Sequence, residues 1–209
     1  MSKKFTDEQV AQFNQELEGK SPAQIIAWAI IHAKKPVITT NFRPYEGAIL
    51  HAVTNVKPGI DVVWCDTGYN TRNTYKHAEE LIKLLDLNID LYVPKQTSSH
   101  RDAVMGIPQI DDPMHKVFTE QVKLEPFKRA MDAHQPDVWF TNLRKGQTAF
   151  RDSISIVSQG ADGILKVSPF YNYSDEQLDA YLEENKIPNE HKYFDPTKVL
   201  GNRECGLHA

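Results

Sequence analysis

Residues 36–65 read "PVITTNFRPYEGAILHAVTNVKPGIDVVWC". The first five, "PVITT" (36–40), are apolar and β-branched and read as a buried strand. "YEGAILHAVTNV" (45–56) reads as a helix, with Ala48, Leu50, Ala52 and Val53 among its apolar positions. "DVVWC" (61–65) reads as a second short strand. A strand, a helix and a strand in this order imply two parallel strands joined by a right-handed crossover.

The same alternation continues outward. "NTYKHAEELIKLLD" (73–86) is an amphipathic helix, with Ala78, Leu81, Ile82 and Leu85 at i, i+3, i+4, i+7 spacing. "IDLYV" (89–93) is a third strand, and "DVWFTN" (137–142) a fourth after a helix around 123–134. Three capping boxes start further helices: Thr6 with Gln9, Ser21 with Gln24 and Ser174 with Gln177. They place helices near 6–18, 22–33 and 175–185. "ISIVSQGADGILKVSP" (154–169) has two β-rich runs around "GADG" and reads as a hairpin. Residues 94–122 read as irregular, and a loop of that length is often functional or mobile. The expectation is an α/β fold with a mostly parallel sheet covered by helices.

The 209 residues fit one domain with a substantial core. The formal charge of −4 argues against a nucleic-acid coat. No apolar run approaches the length of a membrane span, and "MSKKFTDEQVAQF" lacks the apolar stretch of a secretory signal. A cytoplasmic protein without membrane or nucleic-acid partners is therefore expected. Its two cysteines, Cys65 and Cys205, make no disulfide framework, cannot supply four thiolates to an iron–sulfur cluster, and suggest no metal site.

Ligands of open parallel α/β sheets bind beyond the carboxyl ends of the strands. After the first strand, "TTNFRPYEG" (39–47) feeds a helix N-terminus. Thr39, Thr40, Asn41 and Arg43 there suit a phosphate or sulfate, although on this stretch alone an ordinary strand-to-helix loop is the commoner reading. After the second strand, "CDTGYN" (65–70) offers Asp66, Thr67 and Gly68, either to meet a ribose or amino group or hold a metal, or simply to form a turn in which Asp66 and Thr67 cap the next helix. Cys65 ends an apolar strand and reads as a small core residue. After the fourth strand, "TNLRKGQTAFR" (141–151) carries Arg144, Lys145 and Arg151 with no acid between them. Arginine forks match phosphate and sulfate oxygens, whereas a solvated basic loop is the bland reading.

The tail, "GNRECGLHA" (201–209), holds the second cysteine. A free thiol needs ionisation to attack, and Arg203, His208 or the basic loop would favour the thiolate. A tail of this kind can close over a ligand, react and swing out to a partner. A spare exposed cysteine on a frayed end is the alternative.

Together these pieces resemble the phosphoadenylyl-sulfate (PAPS) reductase family. "ECGLH" (204–208) is similar to the family's Glu-Cys-Gly-[Leu/Ile]-His signature, and "DTGYNTRNTY" (66–75) to its Asp-Thr-Gly-Tyr stretch. "NLRKGQTAFR" (142–151) resembles its arginine loop, and "LKVSPFYNYSDEQLDAYLEENKIP" (165–188) its Lys-Val-x-Pro segment with the following helix. The resemblance runs from about residue 36 to 209. It implies a three-layer α/β/α fold of the adenine-nucleotide α-hydrolase type. The whole of 1–209 would be a single sulfonucleotide reductase domain, with 195–209 as a mobile catalytic tail.

By the same resemblance the reaction is reduction of 3′-phosphoadenylyl sulfate to sulfite in assimilatory sulfate reduction. Cys205 would be the nucleophile, assisted by His208, and would carry an S-sulfocysteine released by thioredoxin or glutaredoxin. Asn41, Phe42, Arg43, Asp66, Thr67, Gly68, Arg144, Lys145, Gln147, Arg151 and Arg203 would contact substrate. A homodimer without an iron–sulfur cluster is implied, because members with a cluster carry further cysteines. The chain departs from the family's Ser-Phe-Gly at Asn41-Phe42-Arg43, and has Lys145 and Gly146 where the arginine loop commonly has Arg and Glu. The alternatives are a cluster-free adenylyl-sulfate reductase, a nucleotide-binding sensor of the same fold, and a Cys65–Cys205 redox switch. An ATP-pyrophosphatase of the same fold would show Ser-Gly-Gly-x-Asp-Ser after the first strand, which "TTNFRPYEG" lacks.

Overall fold

The computed structural model describes residues 5–160 and 162–198. The parallel strands expected from the sequence are β1 (Pro36–Thr40), β2 (Asp61–Cys65), β3 (Asn88–Tyr92) and β4 (Val138–Phe140). The hairpin supplies β5 (Val157–Gln159) and β6 (Leu165–Val167). The sheet order is β3-β2-β1-β4-β6-β5. Every pairing is parallel except that of β5 with β6. The order reverses at β1, so the carboxyl ends of β1, β2 and β4 surround the switch point where α/β sheets bind ligands.

Helices cover both faces, and the strand alternation decides which residue faces which layer. Ile38, Val62 and Phe140 point into one apolar cluster. There they meet Ile26 and Ala29 of α2 (Pro22–His32), Ile49 and Val53 of α3 (Glu46–Val56), Ala78 and Leu81 of α4 (Arg72–Leu84) and Leu178 of α9 (Asp175–Glu184). Val37 and Trp139 point the other way, onto Phe127 and Met131 of α7 (Glu125–His134), and Val63 and Cys65 pack with Ala130. This is the three-layer α/β/α arrangement that the resemblance implied.

The three capping boxes form as the sequence reading expected, at α1 (Asp7–Leu17), α2 and α9. Asn14 of α1 reaches the edge strand β5. Its Nδ2 donates to the Val157 carbonyl at 2.8 Å, and its Oδ1 accepts from the Val157 amide at 2.9 Å. A side chain thus satisfies part of the edge that a further strand would otherwise pair with.

The stretch 94–122 differs from the expectation of an irregular loop. It contains α5 (Ser98–Val104) and α6 (Met114–Thr119). Thr97 caps α5 by accepting from the His100 amide, and the fully buried Arg101 anchors it. Arg101 donates from Nη2 to the Gln96 carbonyl (3.1 Å) and from Nε to Gln121 Oε1 (3.2 Å). α6 continues through a π-helical turn at Glu120–Leu124 into α7. Pro126 explains the turn. It lacks the amide that would donate back to Val122, and the Glu125 amide instead donates to the Glu120 carbonyl.

The short helix α8 (Ala149–Asp152) follows the basic loop. After α9 the chain returns across the carboxyl ends of the strands and ends its described course in a 3₁₀ turn, Pro196–Lys198. Among the described residues no helix is long and apolar enough to cross a membrane.

Candidate active site at the strand ends

A polar cavity opens at the carboxyl ends of β1, β2 and β4. Its walls include Thr40, Asn41, Arg43 and Glu46 from the β1–α3 turn, Thr141 and Asn142 after β4, and Arg151 of α8. The opposite wall is Lys123 on the π-helical turn together with Tyr193, Asp195 and Lys198 from the returning chain. Cations outnumber carboxylates in this lining, in a protein of net charge −4. Such a cavity favours an anionic ligand.

The β1–α3 turn is tightly specified. Phe42 and Tyr45 both adopt left-handed backbone, at φ 53° and 68°. For bulky residues that conformation is costly and persists only where surrounding contacts enforce it. Here the Phe42 amide donates to Thr40 Oγ1 (2.9 Å) and the Tyr45 amide to Asn189 Oδ1 (2.9 Å), and the residues around them are tied together by Glu46. Its Oε2 accepts from the Thr40 hydroxyl (2.8 Å), the Asn41 amide (2.8 Å) and the Arg43 amide (3.3 Å), while Oε1 accepts from Arg43 Nε (2.6 Å). The Phe42 ring turns away from the cavity and meets Trp64 edge-on at 4.8 Å. The Asn41 side chain, oriented to satisfy its neighbours, donates to the Cys65 carbonyl at 3.0 Å. Cys65 itself lines the cavity, but burial pushes its thiol up to about 12, so it stays protonated and unreactive near neutrality.

The second wall rests on a buried ion pair. Lys123 Nζ donates to Asp195 Oδ2 at 2.6 Å, and the two side chains are 5% and 9% exposed. Asp195 Oδ1 also accepts from the amide (3.0 Å) and hydroxyl (2.6 Å) of Thr197. Burial alone would raise the Asp195 carboxyl. The Lys123 ammonium and the Thr197 donors outweigh it, and the pKa lies below the ordinary carboxylate value. The first residues of the expected 195–209 tail are thus fastened to the body of the domain. In the third wall, Arg151 Nη1 donates to Gln147 Oε1. Asn142 Oδ1 is buried without a hydrogen-bond partner, so the cavity wall holds an acceptor with unmet demand.

Of the residues singled out from the sequence, the structure brings Thr39, Thr40, Asn41, Arg43 and Arg151 to the cavity. Others lie elsewhere. Asp66 closes its own turn, accepting from the Gly68 amide (3.0 Å), Asn70 Nδ2 (2.8 Å) and the Tyr75 hydroxyl (3.0 Å). Thr67 accepts from the Tyr69 amide at 3.2 Å, and Gly68 supplies the φ of +79° that the turn needs. Thr71, not Asp66 or Thr67, caps α4. Arg144 faces α9, where Nη2 pairs with Asp175 at 2.6 Å and Nη1 donates to the Tyr173 carbonyl at 3.3 Å. Its guanidinium also lies 5.2 Å from the centre of the Tyr45 ring. Lys145 is exposed, and its amide donates to the Tyr171 carbonyl at 2.9 Å. Arg203, Cys205 and His208 lie outside the described residues.

Glu46, Lys123, Asp195 and Lys198 were not singled out from the sequence. For Lys123 a signal existed: a lysine framed by Val122 and Leu124 within a helical stretch. Glu46 opens α3, where an acid is common and marks nothing by itself.

Comparison with known proteins adds an independent line. The family model described as "Phosphoadenosine phosphosulfate reductase domain" matches residues 35–207. The phosphoadenosine 5′-phosphosulfate reductase of Xylella fastidiosa (strain M12) is 31% identical, across 93% of this chain and 92% of its own length. The enzyme of that name from Aliivibrio salmonicida is 28% identical, across 95% and 88%. Among solved structures, the phosphate complex of Candida auris phosphoadenylyl-sulfate reductase superposes with a TM-score of 0.80 at 23% identity, covering 90% of this chain and 91% of that one. An NH3-dependent NAD synthetase from Campylobacter jejuni shares the fold more distantly, with a TM-score of 0.55 at 10% identity. The sheet order, the cavity at its switch point and a family match spanning all of the cavity's lining residues agree, and the chain belongs to the phosphoadenosine phosphosulfate reductase family.

Proposed function

We propose that the protein reduces 3′-phosphoadenylyl sulfate to sulfite in assimilatory sulfate reduction, releasing adenosine 3′,5′-bisphosphate. The observation that carries this reading is the extent of the family match. Residues 35–207 take in the cationic cavity and also Glu204, Cys205 and Gly206.

The chemistry is a thiol displacement. The Cys205 thiolate attacks the sulfur of the sulfonucleotide. The bond from sulfur to the bridging phosphate oxygen breaks, and its electron pair leaves with the nucleotide. Cys205 then carries a sulfonate. A thiol of thioredoxin or glutaredoxin attacks the Cys205 sulfur, sulfite departs with the electron pair, and the partner's second thiol resolves the mixed disulfide. The first displacement builds negative charge on a phosphate oxygen, which fixed cations stabilise. Lys123, Arg151 and Lys198 line the cavity and suit that task. His208 and Arg203 would favour the Cys205 thiolate. The two cysteines of this chain cannot ligate a four-iron cluster, and the route needs none. Family membership supports a homodimer as the working unit.

The test is direct. Reduced protein, freed of reductant, is mixed separately with 3′-phosphoadenylyl sulfate and with adenylyl sulfate, then mapped by mass. One sulfonate on Cys205 from the 3′-phosphorylated nucleotide alone is the expected result. Labelling by adenylyl sulfate instead would keep the mechanism and change the substrate. The Cys205→Ser variant should bind nucleotide but make no sulfite, and turnover at the parent rate would overturn the assignment.

A further inference from the structure

The β1–α3 turn has the makings of an anion seat. The Thr40 hydroxyl, the Asn41 amide, the Arg43 amide and Arg43 Nε converge on one point at the cavity wall. That set of donors, a backbone pair with a hydroxyl and a guanidinium, is suited to a phosphate or sulfate. In this protein an anion already sits there, and it belongs to the chain. The Glu46 carboxylate takes all four donors at 2.6–3.3 Å, and its side chain is 5% exposed.

We propose that Glu46 is a specificity-determining residue: its carboxylate occupies the β1–α3 anion seat and bars the phosphates of the sulfonucleotide from it. Two anions cannot share one set of donors, and a fixed carboxylate repels a second anion brought beside it. The charged groups of the ligand are thereby directed to Lys123 and Lys198 on the opposite wall and to Arg151 of α8. Arg43, at a position where the family commonly has glycine, belongs to the same device, because its guanidinium locks the carboxylate in place. The inference rests on the reading of this cavity as the sulfonucleotide site only for its consequence in substrate choice. The occupied seat stands on geometry alone.

A purely structural Glu46 would brace the strained turn and do nothing else. Glu46→Gln separates the two roles, since it keeps an acceptor oxygen and removes the charge. Inorganic phosphate binding to the E46Q variant, followed by calorimetry at fixed ionic strength, should gain one site and tighten about tenfold relative to the parent. Inhibition by adenosine 3′,5′-bisphosphate should tighten in parallel. A lower melting temperature with unchanged phosphate stoichiometry and affinity would overturn the proposal and leave Glu46 as a brace. Tighter phosphate without tighter nucleotide would overturn its bearing on substrate choice. Should E46Q fail to fold, refolding yield carries the test: recovery by phosphate but not by chloride supports the seat, and no recovery by phosphate overturns it. Phosphate binding requires no turnover. A protein inactive toward 3′-phosphoadenylyl sulfate would thus refute the activity without touching this result.

Discussion

Two carboxylate–cation pairs form facing walls of the cavity, and they differ in what they hold together. Arg43 and Glu46 lie three residues apart in one turn, whereas Lys123 and Asp195 come from segments 72 residues apart. Both pairs close at 2.6 Å. The first shapes a loop whose ends are already fixed by β1 and α3. The second fastens the returning chain, the part that leads on in sequence toward Cys205, to the π-helical turn between α6 and α7. A local pair tunes a site. A long-range pair decides whether one wall of the site exists.

The contrast is broken most severely at Asp195. Asp195→Asn removes one partner of a buried ion pair and leaves the Lys123 ammonium without a counter-charge. Such orphaning costs about 3–5 kcal/mol. Urea or thermal unfolding should show that loss, and limited proteolysis should cut near residues 193–198 in the variant first. The pair also predicts an acid dependence. The folded Asp195 carboxyl titrates below its ordinary value of 3.8, so its contribution is complete above that pH and is lost as pH falls below it. The D195N variant should lack that part of the acid slope. A variant as stable as the parent at pH 7 would show that water, not burial, surrounds the pair.

The local turn can be tested through packing. Gly47 lies where a Cβ would stand 2.9 Å from Ile187 Cγ2 and 3.4 Å from the Pro188 carbonyl. Ile187 is β-branched and stiff, so it cannot swing aside cheaply. Gly47→Ala should cost about 1–3 kcal/mol as an overpacked contact, measured by the same unfolding curves. The segment that meets Gly47 also binds the turn beside it, since the Tyr45 amide donates to Asn189 Oδ1 at 2.9 Å. Residues 187–198 therefore brace both walls, by packing at one end and by charge at the other.

This division explains what the sequence made legible. β1, β2 and β3 lie within a residue of where apolar runs placed them, and the capped helices begin where Thr6, Ser21 and Ser174 announce them. Those signals are local, carried by neighbours in the chain. The helices α5 and α6 are short, and α5 is held by Arg101, whose partners reach as far as Gln121. No apolar period announces such an element. The cavity was legible as a place, because strand ends at a switch point attract ligands. Its individual side chains were less so. Asp66 and Glu46 both sit in turns after parallel strands, yet one faces Tyr75 and the other faces the cavity. Arg144 in the basic loop and Arg151 on the short helix that follows it point to different neighbours. The direction of a loop side chain has no period to read. The partnership of Lys123 with Asp195 is a product of the tertiary fold.

The smallest expected effect concerns Arg144, which the sequence marked as a substrate contact and the structure ties to α9. Its partner Asp175 is 59% exposed, and exposed partners of an ion pair contribute little, about 0–1 kcal/mol. Asp175→Asn should therefore lower stability by no more than that. The Tyr173 carbonyl and the Tyr45 ring remain to hold the guanidinium where it is. The variant distinguishes two accounts of the loop. If Arg144 is a fixed strut between the basic loop and α9, sulfite formation should keep the parent KM. If it leaves Asp175 to meet the ligand, removing that carboxylate should lower KM with stability almost unchanged. The strut is the account that fits a buried guanidinium with two further contacts, and an unchanged KM is the outcome we expect.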